Sequence, residues 1–234
     1  MFKRCILLVV ALLSSTSYAK TYTVFVGDAP VNIHYIKGKG KTFIHVHQNE
    51  TTALKAARKI IQKEGGSLIT LRHSGGRNII FHFKKRRYEF DPNRIFTDTG
   101  IKKTLSLYSK YSPEAHKEVN KLAAKLKQLL PEGKVIAVHN NSTYSLKNYL
   151  PGHDMAHDAQ SLYRNSNAYY RNFYFLTLAK DYKALKSKGF NSVLQKPKAS
   201  DDGSLSILLA HSSYINVEAG YDQLAEQIKM LKNA

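Results

Sequence analysis

The sequence predicts an α/β protein, a three-layer α/β/α sandwich around a mixed, mostly parallel sheet. Three observations carry this. Short apolar, β-branched runs alternate with segments whose apolar residues recur at helical spacing. No repeat or low-complexity tract interrupts the alternation. One run, KVIAV at 134–138, has the uniformly apolar character of a strand buried on both faces.

The elements follow in chain order. Residues 1–19 read as a secretory leader: Lys3 and Arg4 are followed by apolar residues 5–13 and a small-x-small site at Ser17-Tyr18-Ala19. The apolar stretch falls short of the roughly 20 residues a membrane span needs, so no stable span is expected after cleavage. Residues 20–234 are then expected to form one domain. Residues 20–36 read as two strands around Gly27-Asp28-Ala29-Pro30. The KGKGKT segment that follows is a basic turn and not a phosphate loop, because no glycine stands five positions before Gly40. FIHVH is a strand. Ala53, Leu54, Ala57, Ile60 and Ile61 mark a helix that Gly65-Gly66 stops.

SLITL, NIIFHF and YEF are extended, the last two flanking the basic KKRR at 84–87. Ser112-Pro113 opens the clearest helix, with Ala115, Val119, Leu122, Leu126 and Leu129 on its inner face. KVIAV ends at His139-Asn140-Asn141, and residues 142–170 read as a long loop with one or two helical turns. NFYFLTL, NSVLQ, SLSILLA and YINVEA are expected to be extended. DYKALKSKG and YDQLAEQIKMLKN are expected helices.

Composition narrows the function. Loss of the leader removes Cys5, the single cysteine, so a mature chain has neither disulfide nor thiolate ligand. It also removes Lys3 and Arg4 from the 36 Lys and Arg, leaving 34 against 17 acids, a formal charge of +17. Such a charge attracts polyanions. Behind a leader the expected partner is an anionic cell-wall polymer or an acidic small substrate, not nucleic acid; the plain alternative is that the charge solvates the surface.

The polar residues concentrate at predicted strand ends, where chemistry gathers in α/β sheets. His47 and Glu50, three apart after a strand, can turn an imidazole and a carboxylate toward one point. Alternatively, Asn49 caps the helix and Glu50 favours its positive end. His139 ends the apolar KVIAV strand and can supply a third ligand. His45 either orients a ligand or is a buried histidine satisfied by a backbone carbonyl. In Phe90-Asp-Pro-Asn-Arg-Ile-Phe96, Pro92 stiffens a turn that holds Asn93 and Arg94, a pair able to grip a carboxylate. Arg77 follows two glycines and can reach a developing negative charge. Glu218, between Val217 and Ala219, is out of place on a surface and can act as a general base. Tyr214 and Tyr221 bracket it. A competing pair, His153 and His157, sits beside Pro151-Gly152 without the glutamate of H-E-x-x-H.

The ordered set His47-x-x-Glu50, Asp91-Pro-Asn-Arg94, His139 and Glu218 resembles the zinc metallocarboxypeptidase family, carboxypeptidase A-like, as a short, divergent secreted bacterial member. The resemblance implies a zinc ion held by His47, Glu50 and His139, a carboxylate clamp at Asn93 and Arg94, carbonyl polarisation by Arg77 and a general base at Glu218. It implies hydrolysis of an amide bond next to a free carboxylate, with peptidoglycan peptides as substrates and the periplasm or exterior as location. The chain departs from the family in several ways: it is short, the interval from Glu50 to His139 is compressed, and Asn-Asn follows His139. The family's capping tyrosine stands further from the glutamate than Tyr214 does, so Tyr214 and Tyr221 are expected only as substrate contacts. The alternative function is a non-catalytic secreted binding protein for anionic polymers or peptide carboxylates.

Overall fold

The computed structural model describes residues 18–234, so the leader reading lies, apart from Tyr18 and Ala19, outside the described residues. The chain begins with a hairpin of β1 (Tyr18–Val26) and β2 (Ala29–Lys37), turned at Gly27, whose φ of +57° suits glycine. Then come β3 (Thr42–His45), α1 (Thr51–Glu64) and β4 (Ser67–Arg72). A second hairpin, β5 (Ile79–Phe83) and β6 (Arg86–Phe90), turns on Lys84 and Lys85, both with positive φ. Next are α2 (Asp98–Tyr108), α3 (Pro113–Leu129), β7 (Val135–Asn141), β8 (Ala159–Tyr163) and β9 (Phe173–Leu176). The chain closes with α4 (Ala179–Ser187), β10 (Ser192–Gln195), α5 (Leu205–Leu208), β11 (Tyr214–Gly220) and α6 (Leu224–Asn233).

Nine strands form one sheet in the order β1-β2-β4-β3-β7-β11-β9-β10-β8, with β5-β6 apart. The run β4-β3-β7-β11 is parallel, and so is β9-β10; the other pairs are antiparallel. Parallel pairing therefore fills the centre and half the interfaces of the sheet, not most of them. A hairpin added at one edge and β8 folded back at the other account for much of the antiparallel share.

Strand alternation divides the core into two faces. Val135 and Ala137 of β7 join one cluster with Ile101 and Leu105 of α2 and Val119 and Leu122 of α3. Ile136 and Val138 join the other, with residues of α1, α4 and α6. This is the three-layer architecture read from the sequence. Ser112 caps α3 as expected, its Oγ accepting from Ala115 N–H at 3.1 Å, with Pro113 in the first turn. Three elements differ from expectation. SLSILLA is not extended but contains the short helix α5; β8 lies within the expected loop; and α2 was not among the expected elements. Among the described residues no helix is long and apolar enough to cross a membrane.

On the first face, α2 and α3 cover only the β1–β7 half of the sheet. Beyond it, the chain between β7 and β9 packs a small cluster of Leu146, Tyr149, Phe173, Phe175 and Val193. Between these coverings a cavity of about 620 Å³ opens at the carboxyl ends of β7 and β11.

Candidate metal centre

His139 is in phase with Ala137 on β7, and Glu218 is one residue from Val217 on β11. The two stand directly opposite in the parallel register, which places Glu218 at the His139 level of the sheet. His47 and Glu50 come from the turn between β3 and α1. Ligand atoms of His47, Glu50 and His139 lie within 4.8 Å of one another, all three residues buried. His47 Nδ1 is 2.9 Å from Glu50 Oε1 and 3.1 Å from His139 Nδ1, and His139 Nδ1 is 2.9 Å from Glu50 Oε2. Two imidazole nitrogens and a carboxylate thus converge on one point, where their lone pairs require a shared cation or proton. Two nitrogens and one oxygen suit zinc, and donors spaced near 3 Å fit its bond lengths of about 2.0–2.2 Å. The cluster can coordinate a metal ion.

The alternative reading of Glu50, as a charge at the positive end of α1, fits its position but not its carboxylate contacts, which are with His47, His139 and Arg77. Glu50 occupies the N-cap position of α1 but makes no capping hydrogen bond. Asn140 does part of that work from β7: its Oδ1 accepts from Ala53 N–H at 2.8 Å, and its backbone N–H donates to Glu50 Oε2 at 3.1 Å. Nor does Asn49 cap the helix; its amide donates to Tyr221 Oη at 3.5 Å. His45 meets both of its readings. Its Nε2–H donates to the backbone carbonyl of Glu50 at 2.9 Å, and its Nδ1 accepts from Thr70 Oγ1 at 3.0 Å. Burial lowers His45 to about 4, which suits a neutral ring using one nitrogen in each role.

Behind His47 stands Asp91, whose Oδ1 accepts from His47 Nε2–H at 2.7 Å and from Asn93 N–H at 2.7 Å. Burial disfavours a charge on His47, but the carboxylates of Glu50 and Asp91 outweigh it and raise the group to about 9. Burial likewise opposes ionisation of Glu50, and the charges of His47 and His139 reverse that, holding it well below the usual carboxylate range. Arg77 reaches in from the β4–β5 loop, donating to Glu50 Oε1 at 2.5 Å and to Asp91 Oδ2 at 3.4 Å.

No family model matches the sequence, and no curated protein matches it. In fold the chain is similar to an aspartoacylase family protein from Mesorhizobium loti. The TM-score is 0.48 at 11% sequence identity, covering 96% of this chain and 68% of the other.

The remaining expected residues share the cavity. Asn93, Arg94, Tyr214, Glu218 and Tyr221 all line it. Arg94 lies 3.4 Å from Asp202 Oδ2. Burial disfavours its charge, but Asp202 and Asp91 more than compensate and keep it protonated. Glu218 is held at both oxygens: Asn216 Nδ2 donates to Oε1 and Asn141 Nδ2 to Oε2, each at 3.1 Å. Tyr214 is buried at the cavity floor, whereas Tyr221 is 40% exposed at its mouth. His153 and His157 are exposed and outside the metal group; His157 Nε2 pairs with Ser200 Oγ at 3.1 Å. Their loop does form part of the cavity wall, through Asp154, Met155 and Asp158.

Sequence reasoning passed over Asp91, Asn140, Asn141, Asn216 and the hydrogen-bonded pair Tyr144–Tyr149 beside Arg94. Asp91 carried a signal, an acid opening the Asp-Pro-Asn-Arg turn. The paired asparagines after His139, noted as a departure, were a second one.

Proposed function

We propose that residues 20–234 act as a zinc-dependent, metallocarboxypeptidase-like hydrolase that cleaves an amide bond next to a free carboxylate. The observation that carries this reading is the buried convergence of His47, Glu50 and His139 beside a cavity that Glu218 also lines. His47, Glu50 and His139 would hold the ion. When bound, zinc supplies Lewis acidity toward a carbonyl and makes water more acidic.

The chain's own residues do the rest. Arg94 and Asn93 bind the substrate carboxylate, with Tyr214 and Tyr221 as further contacts. Arg77, fixed by Glu50 and Asp91, faces the carbonyl oxygen as it becomes negative. Glu218 takes a proton from the attacking water and returns it to the leaving nitrogen, so that a C–O bond forms as the C–N bond breaks. Two amide donors keep Glu218 in place without removing its free lone pairs. The positive charge of the chain supports an anionic substrate, and peptidoglycan peptides outside the cytoplasm are the class we favour.

Metal analysis of the purified chain should give close to one zinc per molecule. Glu218→Gln should keep that zinc and lose amide hydrolysis by about 10²–10⁴-fold, the usual contribution of a general base. Full hydrolysis by Glu218→Gln would overturn the assignment. Zinc-independent carboxylate binding without turnover would establish the binding-protein reading instead.

A further inference from the structure

A second, smaller recess of about 270 Å³ adjoins the main cavity, and the two share Asn141, Ser142 and Tyr221. Its outer wall is Tyr169 and Gln223, and its one charged lining residue is Arg171. Tyr169 and Tyr221 are 43% and 40% exposed, so two aromatic rings flank the opening. Arg171 is half-buried, and its Nε is sealed without a hydrogen-bond partner.

Among the described residues the Arg171 guanidinium has neither a carboxylate nor a hydrogen-bond acceptor. It lies over the face of Tyr170, 5.8 Å from the ring centroid. Arg77 and Arg94, by contrast, are both paired with carboxylates. The Arg171 backbone is also tied to the active centre, because its carbonyl accepts from Asn141 Nδ2 at 3.0 Å, the same amide that holds Glu218. A partly desolvated, unpaired guanidinium lining a recess that adjoins the cavity of the candidate base has the chemistry of an anion anchor.

Building on the hydrolase reading above, we propose that Arg171 forms a second anion subsite, which binds a carboxylate on the acyl side of the scissile amide. Arg94 takes the carboxylate of the leaving side, so the preferred substrate carries an acid on each side of the bond. The recess is too small for a macromolecule and suits a short acidic side chain.

Isosteric peptide pairs test this on the zinc-loaded full chain. N-acetyl-Glu-Gly is compared with N-acetyl-Gln-Gly, and N-acetyl-Asp-Gly with N-acetyl-Asn-Gly, by calorimetric binding and by hydrolysis. In at least one pair the acid should bind about tenfold more tightly than its amide. Arg171→Gln should erase that ratio, and Arg94→Gln should weaken both members equally. The thermal midpoint of Arg171→Gln should stay close to that of the unmodified chain, since among the described residues the guanidinium makes neither a hydrogen bond nor an ion pair. An equal affinity within both pairs, or a preference that survives Arg171→Gln, overturns the subsite. Because binding is read separately from turnover, absence of hydrolysis counts against the hydrolase reading, and loss of the ratio in Arg171→Gln still supports the subsite.

Discussion

At His47 the ring nitrogen facing away from the cluster matters as much as the one facing it. Asp91 accepts from Nε2–H, which leaves Nδ1 turned toward Glu50 and His139. A carboxylate in that place fixes the tautomer and raises the basicity of the ligand nitrogen. His139 has no such support, its Nε2 being buried without a partner. Asp91→Asn should therefore lower zinc affinity by about 10–100-fold, measured by competition with a chromophoric chelator. An unchanged affinity would remove Asp91 from this role. The candidate metal-ligating triad was legible in the sequence because H-x-x-E and a strand-ending histidine carry their meaning locally. Asp91 and the asparagines were not, because their roles lie across the chain: Asn140 reaches Glu50 and α1, and Asn141 reaches Glu218. The departure at His139-Asn-Asn thus has a physical reason, since the Asn140 side chain caps the start of α1 at Ala53 and bonds Gln227, and the Asn141 side chain holds Glu218.

Two helix starts separate stability from function at the scale of elements. Ser112 caps α3 on the side of the molecule formed with β1, and its loss to alanine should cost about 1 kcal/mol with the site untouched. Gly100, in the first turn of α2, packs against Gly203 and lies below the Arg94 carbonyl. A Cβ built on Gly100 runs into Gly203 Cα and comes within 2.8 Å of Arg94 O. The neighbours are backbone and cannot rotate away. Gly100→Ala should cost roughly 1–3 kcal/mol, as overpacking does, and should also weaken carboxylate binding, since Arg94 and Asp202 flank the contact. Chemical unfolding together with carboxylate titration checks both; a Gly100→Ala chain with normal stability and binding would show that the contact relaxes freely. This also explains why α2 escaped notice. Only Gly100, Ile101, Thr104 and Leu105 are buried, a thin stripe with one glycine and one threonine in it. The central strand β7 was easier, its Val135–Val138 being an uninterrupted apolar run, whereas α5 and β8, at four and five residues, are too short for periodicity to decide.

Across the whole molecule, local pattern revealed the layers but not the order of the strands. Alternation within β7 assigns its two faces, yet nothing in it says that β3 and β11 are its neighbours, and the site depends on that order. The candidate metal centre joins the β3–α1 turn, β7 and, through Asp91 and Arg77, the end of β6 and the β4–β5 loop. These segments are far apart in sequence, so an ion bound there favours the folded chain over the unfolded one. At a free zinc concentration one hundred times the dissociation constant, the stabilisation is about 2.7 kcal/mol. For a chain of this length that corresponds to a rise in the thermal midpoint of roughly 5–10 °C. Melting curves in chelator and in zinc should differ by that amount for the unmodified chain and for Glu218→Gln, which leaves the three ligands in place. His139→Ala should lose most of the difference, and His157→Ala none of it. Superimposable curves for the unmodified chain in zinc and in chelator would mean that His47, Glu50 and His139 are held together by protons and hydrogen bonds alone.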